Sequence, residues 1–279
     1  MTGFPQYQLA DGTSFPRIGF GTYPLTGEEG VEAILSAIAT GYRLIDTAVN
    51  YENEGAVGEA IRRADVPRGE LIIQTKLPGR DHGYDETMRS VEGSLSRLGV
   101  ERIDSYLIHW PNPSVDRYTG SWKAMVELQK DGRVGEIGVS NFTRTFIERL
   151  VAETGVLPAV NQVELHPYFP QEALVEYHAE QGILTQAWSP LGKGSAPYHE
   201  PAIVAAAEAH GITPAQVILR WHLERGVLPL PKSATPSRQA ENLAAESLAL
   251  TPDEVSAVTA LGRPDGRLFG GDPNVHEEQ

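Results

Sequence analysis

With 279 residues and 23 Lys+Arg against 37 Asp+Glu, the chain carries a formal net charge of −14, which repels nucleic acid and anionic membranes and confines any anionic ligand to a local cationic site. It has no cysteine, so disulfides, thiolate metal sites and cysteine nucleophiles are excluded, and a cytoplasmic location is expected. No apolar stretch approaches the roughly 20 residues of a membrane helix, and the opening MTGFPQYQLADG has neither the basic nor the apolar region of a secretory leader.

In chain order, YQLADGTSFPRIG places an Asp11-Gly12 turn between short extended runs, the signal of a β-hairpin. Eight short apolar runs then read as strands: Ile18–Thr22, Arg43–Thr47, Leu71–Lys76, Ile103–His109, Glu136–Ser140, Ala159–Leu165, Ile183–Ser189 and Val227–Pro231. Amphipathic segments alternate with them, including Glu28–Thr40, Glu86–Leu98, Trp122–Lys130, Thr145–Glu153, Glu172–Glu180 and Pro214–Glu224. Val31, Ile34 and Ile38 share one helical face, as do Met88, Val91, Leu95 and Leu98. Thr213-Pro214, Thr235-Pro236 and Thr251-Pro252 each read as an N-cap followed by proline in the first turn. The stretch from Gly262, GRPDGRLFGGDPNVHEEQ, is loop-like. Strands each followed by helical material predict a parallel (β/α)8 TIM barrel, one domain over residues 1–279, with an N-terminal hairpin plugging its bottom and a short C-terminal loop. A doubly wound sheet would carry a glycine-rich fingerprint after its first strand; GFGT at 19–22 offers only G-x-G.

Chemistry in such a barrel sits at the C-terminal ends of the strands. There the sequence delivers Asp46, Lys76, His109-Trp110, Ser140-Asn141, Asn161-Gln162 and Trp188-Ser189, with Tyr51 in the loop after Asp46. Taken singly, each has an ordinary structural explanation. Together, a buried acid and a buried lysine permit each other where neither would be tolerated alone. A lysine ammonium beside a phenol is expected to make that phenol a stronger acid. Asp46 would keep Lys76 charged, and His109 could hold a carbonyl oxygen. This outfit suits carbonyl reduction, provided a nicotinamide or flavin brings the hydride. Lys232, Ser233 and Arg238 gather at the start of a helix, an anion site, with Asn242 one turn beyond Arg238. Trp188 offers a face for a flat ring. Two other readings remain: a Schiff-base aldolase on Lys76, opposed by Asp46, and a nicotinamide-binding sensor without turnover.

IDTAVNYENEGAVGEAI, LIIQTKL, DSYLIHWP, EIGVSNF, NQVELHP and PKSATPSRQAEN, in this order along the chain, resemble motifs of the aldo-keto reductases, and most those of the bacterial 2,5-diketo-D-gluconate reductase type. The resemblance implies Tyr51 as general acid, Lys76 and Asp46 tuning it, and His109 orienting the substrate. It implies that Ser140, Asn141 and Gln162 hold the nicotinamide carboxamide, which stacks on Trp188. Ser189 and Leu191 would follow the pyrophosphate, Lys232, Ser233 and Arg238 the 2′-phosphate of NADPH, and Asn242 the adenine. It further implies a metal-free monomer acting on a small carbonyl compound. Pro78 stands where many relatives have tryptophan, and Tyr23, Pro78, Trp110 and Phe269 are candidate pocket walls beside Tyr51 and His109.

Overall fold

A computed structural model describes residues 6–193, 197–268 and 270–278. Strands β1 (Gln6–Gln8) and β2 (Ser14–Pro16) form the expected antiparallel hairpin, pairing Tyr7 with Phe15. The next eight strands, β3 (Phe20–Gly21), β4 (Leu44–Asp46), β5 (Ile72–Leu77), β6 (Ile103–Ile108), β7 (Val134–Ser140), β8 (Val160–Glu164), β9 (Leu184–Trp188) and β10 (Leu228–Pro229), lie side by side in chain order. All neighbours are parallel. The intervening helices are α1 (Gly27–Thr40), α2 (Glu54–Arg63), α3 (Tyr84–Leu98), α4 (Tyr118–Lys130), α5 (Arg144–Thr154), α6 (Glu172–Gln181), α7 (Pro201–His210), α8 (Pro214–Glu224), α9 (Pro236–Ala244) and α10 (Pro252–Thr259).

The first and last of the eight strands meet. Gly19 and Gly21 donate their N–H groups to the carbonyls of Pro229 and Pro231 at 3.1 and 3.2 Å. In a parallel ladder the N–H and C=O of one residue face the same neighbour, and proline has no N–H. The seam therefore carries bonds in one direction only, which is why both strands are shorter here than their apolar runs suggest. A side chain on Gly19 would place its Cβ 2.5 Å from Leu230 Cδ2, and one on Gly21 would lie 2.9 Å from the Leu230 carbonyl oxygen. The G-x-G of the sequence thus serves barrel closure.

Two apolar layers hold the elements. Ile34, Ile38, Trp122, Leu128, Ile147 and Leu150 from the helices pack on Ile45, Ile73, Ile108 and Val139 from the strands. Inside the barrel, Leu9 and Phe15 of the hairpin region pack with Leu44, Leu107, Val160, Leu184, Leu228 and Leu230, closing its bottom. Each such buried side chain stabilises the fold by about 1.5–3 kcal/mol. Thr213 and Thr251 form capping boxes with Gln216 and Glu254, whereas Thr235 makes no side-chain cap bond. Among the described residues no single helix is long and apolar enough to cross a membrane.

Three buried histidines are held neutral. Burial pushes His82 and His178 down to about 4 and His222 to about 3. At His178 the wiring selects one tautomer: Asn161 Nδ2 donates to Nε2 at 3.0 Å, leaving Nδ1–H for Thr185 Oγ1 at 2.9 Å. These folded values lie below the unfolded one of about 6.5, so the stability they lend is complete above that pH and is lost as pH falls toward 4. At about 1.4 kcal/mol per unit, His178 alone accounts for about 3 kcal/mol. The urea midpoint is expected to drop steeply between about pH 6.5 and 4, and less steeply in His178→Gln. A midpoint flat across that window would refute the assignment.

Candidate active site

The site is assembled on the C-terminal rim by β4 and β5. Asp46 pairs in register with Gln74, so Lys76, two residues on, faces the same side. Its side chain is fully buried, and its Nζ lies 2.8 Å from each Asp46 carboxylate oxygen, 2.9 Å from the Thr47 carbonyl and 3.2 Å from the Tyr51 hydroxyl. Asp46 Oδ1 also accepts from Gln74 Nε2 at 2.7 Å and Gln162 Nε2 at 2.9 Å. Both glutamines donate onward to Gln186 Oε1, and Ser105 Oγ donates to Gln74 Oε1. A buried ion pair is tolerable when such bonds satisfy its remaining polar atoms.

Tyr51 ends a single 3-10 turn, Val49–Tyr51, followed by Glu52 in the left-handed region at φ 54°. The turn is clamped by buried Asn53, whose Nδ2 donates to Thr22 Oγ1 at 3.0 Å and the Leu25 carbonyl at 2.9 Å, while its Oδ1 accepts from Thr47 at 2.5 Å. The phenol lies against the Lys76 ammonium, 4.8 Å from ring centroid to Nζ, and meets the His109 ring edge-on at 5.7 Å. Burial works to lower Lys76, but Asp46 and Tyr51 reverse it and hold the ammonium above its ordinary value. For Tyr51 enclosure is the larger cause and pushes the phenol up, with Lys76 pulling down against it. Lys76 acts in the expected direction, but the enclosure outweighs it. Tyr51 is held protonated, and its lysine partner bears on the charge that develops when the proton leaves.

His109 follows β6. Its N–H donates to the Leu77 carbonyl at 3.1 Å, and its own carbonyl accepts from Asn141 Nδ2 at 3.0 Å. Its ring Nδ1 lies 2.6 Å from Glu278 Oε1. Asn141, left-handed at φ 63°, accepts from Trp188 Nε1 at 2.8 Å, which fixes the indole on the rim. All of this opens into a cleft of about 930 Å³. Its lining includes Asp46, Tyr51, His109, Tyr23, Trp110, Asn141, Gln162, Trp188, Ser189, Leu191, Lys232 and Arg238. Among the described residues neither of these last two forms a salt bridge. They flank the N-terminus of α9, whose first turn Thr235 leaves uncapped.

Residues 17–263 match the model of the Aldo/keto reductase family. The chain belongs to that family. It is 53% identical to 2,5-diketo-D-gluconic acid reductase B of Corynebacterium sp. (strain SHS752001) over 100% of both chains. It is 42% identical to the methylglyoxal reductase of Escherichia coli (strain K12) over 96% of each. Among solved structures, a mutant of Gox0644 in complex with NADPH superposes with a TM-score of 0.93 at 43% identity, covering 98% of this chain and 99% of that one.

Within this aldo/keto reductase the anticipated residues fall into three groups. Asp46, Tyr51, His109, Asn141, Gln162, Trp188, Ser189, Leu191, Lys232, Arg238, Tyr23 and Trp110 line the cleft, and Lys76 lies beneath Asp46 and Tyr51. Four others stand back from it. Ser140 is buried with its Oγ donating to the Gln162 carbonyl at 2.8 Å; Ser233 accepts from the Thr235 N–H at 3.1 Å; Asn242 is buried on α9; and Pro78 is buried at the start of the turn Gly79–Asp81. Phe269 lies outside the described residues. Sequence reasoning missed Asn53, Glu278 and the glutamine network. Gln74 and Gln186 had a signal: each is an amide inside a buried strand, two residues before Lys76 and Trp188, and therefore on the same face.

Proposed function

We propose that this protein is an NADPH-dependent carbonyl reductase that turns aldehydes or ketones into alcohols, with Tyr51 as general acid. One observation carries the reading: a fully buried Lys76 divides its ammonium between the Asp46 carboxylate and the Tyr51 hydroxyl at the edge of the cleft. Neither a solvated lysine nor a structural ion pair calls for a phenol as third partner. Against a Schiff-base role stands the same contact, since Asp46 favours the protonated amine, which cannot attack a carbonyl.

The residues present fit a dinucleotide phosphate. A helix N-terminus without a side-chain cap, flanked by two exposed cations that have no salt-bridge partner among the described residues, suits a phosphate in a chain of net charge −14. Trp188, held by Asn141, offers an indole on the wall of the cleft. When bound, the cofactor supplies the hydride. The protein's own part is proton management. His109 orients the carbonyl oxygen toward Tyr51, whose hydroxyl gives up its proton as that oxygen gains charge. Lys76 stabilises the phenolate left behind, and Asp46 with its glutamine donors holds Lys76 in place. The proposed working unit is a monomer, and sedimentation velocity checks it.

The relatives named for 2,5-diketo-D-gluconic acid and methylglyoxal direct the substrate search toward keto-sugars and dicarbonyls. NADPH oxidation should be followed over a panel of these and of simple aldehydes. Turnover with at least one class is expected; tight NADPH binding without turnover on any would favour a sensor. In the same assay Arg238→Ala is expected to raise the KM for NADPH about 10- to 100-fold, the worth of a lost charge-assisted bond. The KM for NADH should stay within about twofold. Equal effects on both cofactors would remove the phosphate assignment.

A further inference from the structure

Glu278 is 232 positions from Asp46 in the sequence but stands at the catalytic rim. Its side chain is 11% exposed, and its polar contacts go to the loops of the site. Oε1 lies 2.6 Å from His109 Nδ1 and accepts from Asn50 Nδ2 at 2.7 Å, and Oε2 accepts from the Gly79 N–H at 3.0 Å. Asn50 immediately precedes Tyr51. One carboxylate thus joins the loop that carries the phenol to the loop that carries the imidazole.

The approach is built. Buried Asn112 donates to the Glu278 carbonyl at 2.6 Å and accepts from its N–H at 3.0 Å, and the His276 ring lies against Trp110 at 4.1 Å between centroids. Gly79 leaves the necessary space, for a Cβ there would come within 2.4 Å of the Glu278 carbonyl oxygen. Although burial opposes the charge, contacts with His109, Asn50 and Gly79 hold the carboxyl below its ordinary value and keep it ionised.

An ionised carboxylate only accepts hydrogen bonds. The 2.6 Å approach to Nδ1 is an ion-pair contact that lacks the angle of a hydrogen bond, yet the carboxylate's charge favours the proton on that nitrogen, and the partner of one ring nitrogen sets the role of the other. We propose that Glu278 is a positioning residue: by anchoring Nδ1 of His109 and the Asn50 amide together, it commits Nε2 to the cleft and fixes the His109–Tyr51 spacing. The inference rests on the reading of His109 as the group that orients the carbonyl.

The test is a double-mutant cycle in the NADPH oxidation assay. Glu278→Ala is expected to lower kcat/KM about 10- to 100-fold, the usual loss when an orienting partner of a functional histidine is removed, with the fall chiefly in kcat. Glu278→Gln, which keeps an acceptor oxygen, should recover part of it. NADPH affinity, read from fluorescence quenching, should stay within about twofold and shows that the variants are folded. In a His109→Gln background, Glu278→Ala should change residual turnover by less than about twofold. Gly79→Ala, which displaces the segment and leaves Glu278 in the sequence, should reproduce both results and decides the matter if Glu278→Ala does not fold. Equal losses in both backgrounds, or a rise in KM with kcat intact, would reduce Glu278 to a wall of the pocket and overturn the proposal. Full activity in His109→Gln alone would overturn the role of His109 and this inference with it. A crippled His109→Gln beside a fully active Glu278→Ala would overturn this inference only.

Discussion

Replacing Tyr51 with phenylalanine is expected to lower kcat by about 10²- to 10⁴-fold, the range assigned to a positioned general acid, while NADPH affinity stays within about twofold. The substitution removes one oxygen and keeps the ring. The edge-on contact with His109 at 5.7 Å and the contact with Tyr23 at 5.1 Å persist, so the walls of the cleft hold their shape. Lys76 loses its 3.2 Å partner but retains Asp46 and the Thr47 carbonyl. A fold intact by thermal melting and a cofactor site intact by titration would leave proton donation as the lost property. Wild-type reduction by this variant would sink the mechanism.

How far the sequence revealed the site depends on the range over which its contacts act. The strand order and the rim positions were legible, because alternation and β-branching act within a few residues. Asp46 ends β4, Lys76 is the last residue but one of β5, and His109 follows β6, where a barrel places its chemistry. Element ends were less legible where a partner strand sets them. The runs Ile18–Thr22 and Val227–Pro231 became Phe20–Gly21 and Leu228–Pro229 because the seam between them lacks two proline donors. Helix α7, PAIVAAAEAH, had no boundary from periodicity, since its alanines blur the apolar face.

Glu278 and Asn53 were not legible for a different reason. Their roles come from packing against residues 199 and 31 positions away, Gly79 and Thr22, and no local pattern distinguishes them from solvated polar residues. The net shift at Tyr51 was hidden for the same reason. The lysine was visible, but the enclosure that outweighs it arises only when Lys76, Asp46 and the surrounding loops come together.

The second large effect concerns the ion pair beneath the phenol. Lys76→Met removes the ammonium and leaves the Asp46 carboxylate buried with Gln74 and Gln162 as its remaining donors. Breaking a buried pair in this way costs about 3–5 kcal/mol of stability, to be read as a lowered urea midpoint. The double variant Lys76→Met with Asp46→Asn buries no net charge and is expected to recover most of that loss. Turnover should behave differently. Without the ammonium nothing stabilises a phenolate at Tyr51, so kcat is expected to remain at least about 10²-fold down in both variants. Stability restored with activity still absent separates the structural role of the pair from its chemical one. A single variant as stable as the wild type would mean that Asp46 finds its charge compensated elsewhere. A double variant that regains turnover would show that the proton leaves Tyr51 without help from Lys76, and the ammonium would keep only its structural role.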